Sequence, residues 1–202
     1  SDIMSFTTQL LEGLKATTTV EWIAVFSSII YVVLAAKRHI ICWFFAFIAS
    51  VLFVYLCYMG KLYIEALLQF FYVVMALVGW FSWKHFSSDS LIKKWTINLH
   101  VRNILVSSLL AFIIGFLFDN FTHQASPYVD AFTTCFSLSA TYMVAQKILG
   151  NWLYWIVIDL VSIYLYAERD YYLTAVQYAL FTLLAVYGFW VWQQEYKRQK
   201  LC

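Results

Sequence analysis

The sequence predicts an all-α polytopic membrane protein with seven transmembrane helices, arranged as two three-helix repeats with one linker helix between them (3+1+3). The first observation is composition: 63% of the 202 residues are hydrophobic, 12% are charged, and the mean hydropathy is +0.75. A soluble domain carries about 25% charged residues. The second observation is that the apolar residues form seven runs near the length of about 20 residues that crosses a bilayer. The third is that the first three runs align with the last three without a gap.

Composition also excludes several classes of protein. So apolar a chain is not a cytosolic enzyme, a disordered chain or a nucleic-acid-binding protein. Aromatic side chains are frequent, with 9 Trp, 15 Tyr and 18 Phe, or 21% of the residues. That is more than the interfacial belts of a membrane protein require. The four cysteines show no CxxC spacing, and we expect free thiols that act as small hydrophobic groups.

Polar residues mark the ends of the predicted spans. The first span stops at residues 37–39 and the second at residues 60–61, and the longest polar stretch, residues 84–100, follows the third. Short polar turns at residues 147–150 and 168–170 separate the last three spans. The predicted spans are residues 20–36, 40–59, 62–83, 101–118, 129–146, 148–167 and 171–192.

The distribution of basic residues predicts the orientation. Ten of the 13 lysines and arginines lie after the first, third and fifth spans or in the C-terminal tail. The positive-inside rule then places the C-terminus in the cytoplasm and the N-terminus outside. The predicted segments are an extracytoplasmic N-terminal segment without an assigned role (1–19), a first three-helix repeat (20–83), a cytoplasmic loop, linker helix (101–118) and outer loop (together 84–128), a second three-helix repeat (129–192) and a cytoplasmic tail (193–202).

One constant shift, which places Trp43 on Trp152, aligns the first three spans with the last three, and we call it the repeat register. Ten of the 63 aligned positions are identical, among them Gly79 with Gly188 and Trp83 with Trp192. Because each unit has three spans and one further span separates them, both units have the same orientation in the membrane. We expect a pseudo-two-fold axis along the membrane normal, as in transporters whose substrate site lies near mid-membrane between two halves.

The sixth span carries polar groups at membrane depth. Asn151, Trp155 and Asp159 are four residues apart and therefore share one face of a helix. Asp159 lies about halfway along the span, where a carboxylate needs a partner. We interpret this face as a substrate site or, for Asp159, as a proton site. A structural hydrogen bond to a neighbouring helix is the alternative.

The third span carries a second candidate face. Gln69, Tyr72 and Trp80 lie on one side at the 3.6-residue period, and we expect them to contact a substrate. Gly79 on the same side is interpreted as a site of close helix packing. Glu65 lies one turn into the span, where its carboxylate reaches the outer headgroups as an anchor.

The seventh span carries the equivalent face of the second repeat. Gln177 and Tyr178 align with residues 68–69, so each half contributes a glutamine to a central cavity. Trp152 and Trp192 lie near span ends, and we expect them to belong to the interfacial belt.

No motif of catalysis, nucleotide binding or metal binding is present in the sequence. GxxxxGK[ST], GxSxG, HExxH and CxxC are all absent. We therefore predict that the protein is not an enzyme and uses no cofactor. Its expected partners are a small-molecule substrate and the lipid bilayer, and not nucleic acid.

Five short motifs follow one another along residues 20–192. They are R-x-x-x-C-W from Arg38 to Trp43, G-K-L-Y-I-E-A-L-L-Q-F-F-Y from Gly60 to Tyr72, G-W-F-S-W from Gly79 to Trp83, N-W-x-Y-W-x-x-x-D from Asn151 to Asp159, and a Tyr–Gly–Trp pattern from Tyr178 to Trp192. In these motifs and their spacing the sequence resembles the PnuC family of bacterial vitamin transporters. Members similar in sequence carry nicotinamide riboside, and relatives carry thiamine or riboflavin.

The resemblance implies a fold similar to that of the SWEET sugar transporters, with different connectivity, in the inner membrane of a bacterium. It implies uptake of nicotinamide riboside, a form of vitamin B3 that feeds NAD biosynthesis, by facilitated diffusion. Trapping would follow when a cytoplasmic kinase phosphorylates the nucleoside. It also implies a homo-oligomer, namely a trimer.

The candidate residues suit that ligand, which is a flat pyridinium cation joined to a ribose. Aromatic faces attract such a cation with roughly 0.5–2 kcal/mol each. Asn151, Gln69 and Gln177 offer donors and acceptors to the carboxamide and hydroxyls, and Asp159 offsets the positive ring or holds a neighbour in place. Thiamine also carries a cationic ring. A thiamine or riboflavin carrier and a proton-coupled transporter are therefore the alternatives to an alternating-access carrier of nicotinamide riboside.

Overall fold

The computed structural model describes residues 2–60, 63–85, 91–121, 126–168 and 171–201, and this part of the chain is helical apart from turns and one isolated bridge. Each predicted span coincides with one helix. The third predicted span begins at residue 62, which lies outside the described residues. Parts of the predicted polar breaks (residues 61, 86–90, 122–125 and 169–170) also lie outside them. The helices are α1 (Asp2–Ala16), α2 (Thr19–Ala36), α3 (Cys42–Met59), α4 (Tyr63–His85), α5 (Ile97–Phe121), α6 (Pro127–Ala145), α7 (Asn151–Glu168) and α8 (Tyr172–Gln199).

Hydropathy separates these helices into two groups. Within the described residues, α2, α3, α4, α5 and α8 are long and apolar enough to cross a membrane. The helices α6 and α7 are not among these candidates, and they carry buried Ser137, Thr141, Asn151, Asp159 and Ser162. Their polar side chains face the protein interior, which is where membrane proteins keep such groups.

The helix α1 was not predicted. Residues 1–19 are mixed in polarity, and nothing in them matches a spanning run. The helix packs against the start of α8, where a Cβ on Gly13 would lie 3.5 Å from the Cβ of Leu173. A capping box then begins α2: the Thr18 side chain accepts from the Glu21 amide, and the Glu21 carboxylate accepts from the Thr18 amide.

The helices pack as two three-helix units. The first unit is α2, α3 and α4, and the second is α6, α7 and α8, with each helix contacting the next. Between the units α2 packs against α8 and α4 packs against α6. The repeat register places α2 on α6 and α4 on α8, so these two contacts are equivalent. The helix α5 packs against α6.

Two tight turns have the same geometry in the two units. Arg38, after α2, has φ 57°, and Lys147, after α6, has φ 56°. The amide of His39 donates to the Leu34 carbonyl at 2.9 Å, and the amide of Ile148 donates to the Met143 carbonyl at 2.9 Å. These are the six-to-one bonds of a Schellman ending, in which one residue adopts the left-handed conformation.

Four tryptophans form the centre of the main core, near the basic ends of the helices. Trp43 meets Trp83 edge-on at 5.5 Å, and Trp152 meets Trp192 edge-on at 5.5 Å. Trp83 and Trp192 join the two pairs, with ring centroids 6.4 Å apart. We call these four residues the tryptophan cluster. It lies across the interface of the two units, where hydrogen bonds accompany the ring contacts.

Those hydrogen bonds are again related by the repeat register. The indole N–H of Trp83 donates to the Ala145 carbonyl at 3.2 Å, and that of Trp192 donates to the Ala36 carbonyl at 3.1 Å. Trp192 also lies 3.1 Å from the Ala35 carbonyl. Each bond ties the last part of one unit's third helix to the end of the other unit's first helix.

The expectation that Trp152 and Trp192 belong to the interfacial belt is wrong. Their exposed fractions are 3% and 0%. The helix α8 continues to Gln199, about two turns beyond the predicted end of the span, so Trp192 lies well inside it. Protein segments cover the helix ends on this side, and the indoles are therefore enclosed by the chain instead of by lipid headgroups.

One of these covering segments is residues 91–96, which we call the strap. The Lys93 amide donates to the Lys147 carbonyl at 2.9 Å, and the Leu149 amide donates to the Lys93 carbonyl at 2.8 Å. The Ile92 amide donates to Oε1 of Gln199 at 3.1 Å. The strap thus joins the turn between α6 and α7 to the end of α8.

Candidate site at the interface of the two units

Asp159, midway along α7, is the centre of the candidate site. It is 3% exposed, and within the described residues it forms no hydrogen bond or ion pair. The phenol groups of Tyr72 on α4 and Tyr178 on α8 lie close enough to interact with its carboxylate electrostatically. The structure therefore brings together three of the predicted site residues, from three helices and from both units.

Other polar and aromatic side chains complete this cluster. Ser137 of α6 lies close to the Tyr72 hydroxyl. The rings of Tyr178 and Tyr166 are stacked, with centroids 5.4 Å apart and planes inclined by 10°. Tyr31 of α2 lies within electrostatic range of Tyr72. We call Tyr31, Tyr72, Tyr166 and Tyr178 the tyrosine belt, of which Tyr72 and Tyr178 lie next to Asp159.

Sequence reasoning missed three members of this cluster. Tyr166 is seven residues after Asp159, so it lies on the same face of α7, and helical periodicity was sufficient to find it. Ser137 is one of several hydroxyl residues along α6, and Tyr31 stands among apolar residues of α2. These two residues reach the site only because their helices pack against other helices of the fold. Nothing in their own sequence segments indicates that they belong to the site.

A second part of the site lies nearer the tryptophan cluster. Asn151 is fully buried, and its Nδ2 donates to the Ile148 carbonyl at 2.7 Å. Its Oδ1 has no hydrogen-bond partner among the described residues. Trp80 and Trp155 are partly buried and pack against the residues of the main core. The distance along α7 from Asn151 to Asp159 is about 12 Å, at about 1.5 Å per residue.

The two glutamines are not joined to either part of the site. Gln69 and Gln177 are partly buried, and neither makes a hydrogen bond within the described part of the chain. They lie closer to the N-terminal ends of α4 and α8 than Tyr72 and Phe181 do. Their assignment as substrate contacts stays a prediction.

Gly79 and Gly188 allow tryptophan rings to approach the helix backbone. A Cβ on Gly79 would overlap Cε2 of Trp43, and one on Gly188 would lie 2.7 Å from Cε3 of Trp152. Real side chains do not come that close. Gly79 therefore serves close packing, as expected, although its neighbour is an indole ring.

The linker helix α5 supports the second unit. His100 Nδ1 lies 3.2 Å from the Tyr154 hydroxyl, and its ring covers Gly150, where a Cβ would come within 2.6 Å of His100 Cε1. One turn further along α5, Asn103 Oδ1 accepts from Ser139 Oγ at 2.8 Å. These contacts hold the beginning of α7, which carries Asn151 and Trp155, against α6.

The arrangement suits a flat, polar and cationic molecule better than a metal ion. Asp159 is the one buried carboxylate of the described residues, with phenol rings near it, and the indoles of Trp80 and Trp155 provide further aromatic surface. No group of three or more His, Cys, Asp or Glu side chains suitable for a metal ion occurs in the described residues. The described cysteines, Cys42, Cys57 and Cys135, are free thiols.

Comparison with known proteins points to transport. A family model described as nicotinamide mononucleotide transporter matches residues 18–194. The nicotinamide riboside transporter PnuC of Escherichia coli is 21% identical over 201 residues, covering 86% of this chain and 84% of the relative. The protein of the same name from Haemophilus influenzae is 26% identical over 190 residues, covering 88% of this chain and 81% of the relative.

A solved structure has the same fold. The crystal structure of the vitamin B3 transporter PnuC matches with a TM-score of 0.76 at 22% identity, covering 97% of this chain and 90% of that chain. The matching family and the matching structure are of transporters and not of enzymes. Together with the apolar helices, these matches make the chain a multi-pass membrane protein.

Proposed function

Since the chain belongs to the nicotinamide mononucleotide transporter family, we propose that it carries nicotinamide riboside across the membrane. The observation that carries this proposal is the buried carboxylate of Asp159 between Tyr72 and Tyr178, at the interface of the two units. Two relatives named nicotinamide riboside transporter support the choice of substrate.

In this proposal each part of the ligand has a partner. The pyridinium ring stacks on aromatic faces of Tyr72, Trp80, Trp155 or Tyr178, each worth roughly 0.5–2 kcal/mol. Asn151 Oδ1, which has no partner in the described part of the protein, accepts a hydrogen bond from the carboxamide or a ribose hydroxyl. Gln69 and Gln177 bind the remaining polar groups at the outer side.

The proposed mechanism is facilitated diffusion by alternating access. Residues 20–83 and 129–192 act as a parallel repeat, as in the SWEET transporters, and rock about the site between them. The paired contacts that the repeat register relates support this arrangement. When the site opens to the cytoplasm, the bonds from Trp83 to Ala145 and from Trp192 to Ala36 break. Net uptake follows from phosphorylation of the nucleoside by a cytoplasmic kinase.

The proposed setting is the inner membrane of a bacterium. The helices α2 to α8 form seven spans, with the N-terminus outside and the C-terminus in the cytoplasm. Basic residues on the side of the strap and the tail support this orientation. The protein assembles as a homotrimer, a proposal that rests on the resemblance alone.

Calorimetric titration of the purified protein against nicotinamide riboside, thiamine and riboflavin tests the substrate. We expect heat of binding with nicotinamide riboside, and weaker binding in the Gln69→Ala, Asn151→Ala and Trp155→Ala variants. Phe81→Ala is the matched control, because Phe81 is 65% exposed and follows Trp80 directly. Unchanged affinity in all three site variants would refute the proposed site, and tighter binding of another vitamin would refute the substrate.

Asp159 also favours a second candidate, a proton-coupled transporter, because a buried carboxylate is the group such transporters use. Uptake into kinase-free vesicles separates the two. Accumulation of substrate along an imposed proton gradient supports coupling, and equilibration without accumulation supports facilitated diffusion.

A further inference from the structure

We propose that Asp159 is the charge-selecting residue of the site, so that the carrier accepts aromatic nucleosides with a positive ring and discriminates against neutral and phosphorylated ones. This inference rests on the proposed function. It adds that the recognised property of the substrate is the positive charge of its ring, and that the carboxylate of Asp159 recognises this charge.

The first argument is the isolation of the carboxylate. Asp159 is 3% exposed, yet the described residues give it neither a hydrogen bond nor an ion pair. An ionised carboxylate held away from water without a counter-charge costs several kcal/mol. A ligand that brings a positive charge to this position supplies the missing partner, and a neutral ligand of the same shape does not.

The second argument is where the protein's own cations lie. Lys147 is the one buried lysine or arginine in the described residues, and its Nζ lies 4.9 Å above the Trp83 ring. Arg38 pairs with Glu195 at 3.2 Å. Both belong to the basic end of the bundle, on the side of the strap. Within the described ranges, no cation of the protein therefore neutralises Asp159.

The same distribution disfavours a phosphate. A phosphate monoester carries about −1.5 to −2 charges at neutral pH and is bound by arginines, lysines or helix N-termini. Close to Asp159 it would meet a carboxylate and phenols instead. The nucleoside and its phosphate thus differ sharply in their fit to this site.

The third argument is the asymmetry of the two units. Ser50 occupies the position equivalent to Asp159 in the repeat register, and it is also buried, at 7% exposed. The equivalent place in the first unit is therefore uncharged. A cationic ring is drawn towards α7 and the second unit, where the stacked pair of Tyr166 and Tyr178 offers a rigid aromatic surface.

Calorimetric titration with three probes tests the inference: nicotinamide riboside, its neutral dihydro form and nicotinamide mononucleotide. For the unchanged protein we expect the cation to bind at least about tenfold more tightly than either of the others. In Asp159→Asn we expect the preference of cation over dihydro form to fall to about twofold or less. Asp119→Asn, which removes an exposed carboxylate from α5, is the charge-matched control and should keep the preference.

The outcomes are distinct. Equal affinity of the unchanged protein for the cation and the dihydro form overturns the inference, and this result needs no variant to fold. A full preference retained in a folded Asp159→Asn protein also overturns it, while the proposed function survives because the cation still binds. Absence of binding by all three probes overturns the proposed function, and the inference with it.

Discussion

The indole N–H of Trp83 donates to the carbonyl oxygen of Ala145, across the interface of the two three-helix units. Its counterpart in the second unit, Trp192, does the same to Ala36. Both bonds are buried and lie on the basic side, so they fasten the units together at that end of the bundle.

We expect Trp83→Phe and Trp192→Phe each to lower the free energy of unfolding by about 1 kcal/mol, since a ring remains while one buried hydrogen bond is lost. Thermal unfolding of the detergent-solubilised protein measures this. Trp190→Phe is the control, because Trp190 is 58% exposed on the same helix. Equal melting temperatures for all four proteins would contradict a stabilising role of these bonds.

We expect Gly79→Ala and Gly188→Ala to destabilise the fold by about 1–3 kcal/mol, because the added methyl group would overlap the ring of Trp43 or Trp152. Gly13→Ala should be harmless, since its Cβ would lie at an ordinary 3.5 Å from Leu173. The measurement is again the melting temperature. If Trp43→Phe does not reduce the cost of Gly79→Ala, the clash is not with that ring.

The stability should depend on pH through Lys147. Burial, followed by the nearby charge of Arg38, lowers the pKa of Lys147 below its usual 10.5. At pH values below both pKa values the folded state bears the cost of the buried charge. The contribution of Lys147 to the free energy of unfolding therefore rises as the pH increases from the lowered pKa of the folded state towards the usual pKa of 10.5.

Removing the charge of Arg38 should bring the pKa of Lys147 closer to its usual value and flatten that rise. Melting temperatures between pH 7 and pH 10.5 of the unchanged protein, Arg38→Gln and Lys147→Met check this. Lys147→Met should lack this contribution to the profile. Superimposable profiles for the three proteins would show that Lys147 does not govern the dependence.

The tyrosine belt should act on binding through its rings more than its hydroxyls. We expect Tyr178→Ala to weaken nicotinamide riboside binding by about threefold to thirtyfold, the equivalent of one aromatic face, and Tyr178→Phe to weaken it less. Tyr166→Ala should have a smaller effect than Tyr178→Ala, since Tyr166 holds the other ring in place. Titration calorimetry gives the affinities, with exposed Tyr164→Ala as control. Greater loss in Tyr178→Phe than in Tyr178→Ala would contradict this view.

Hydropathy was sufficient to locate α2 to α8, because each of these helices coincides with an apolar run of the sequence and polar turns separate the runs. The boundaries differ where polar residues continue a helix: α8 runs on to Gln199 through a basic tail. The helix α1 could not be found in this way, since residues 2–16 are mixed in polarity and form no run long and apolar enough to span a membrane.

The grouping of Asp159, Tyr72 and Tyr178 could be predicted because a polar side chain is conspicuous in an apolar helix. Tyr31 could not, since only the contact between distant helices brings it to the site. The roles of Trp152 and Trp192 were misjudged for a related reason. Their positions near span ends indicate headgroups, whereas the strap and the end of α8 occupy that space.

The docking of α5 on the second unit, through His100 and Asn103, has a mechanical consequence. If the carrier rocks, the linker helix moves with α6, α7 and α8, and α1 follows through its contact with α8. The two moving bodies then differ in size, with three helices against five. The smaller body experiences less viscous drag from the lipid, so most of the displacement relative to the bilayer falls to α2, α3 and α4.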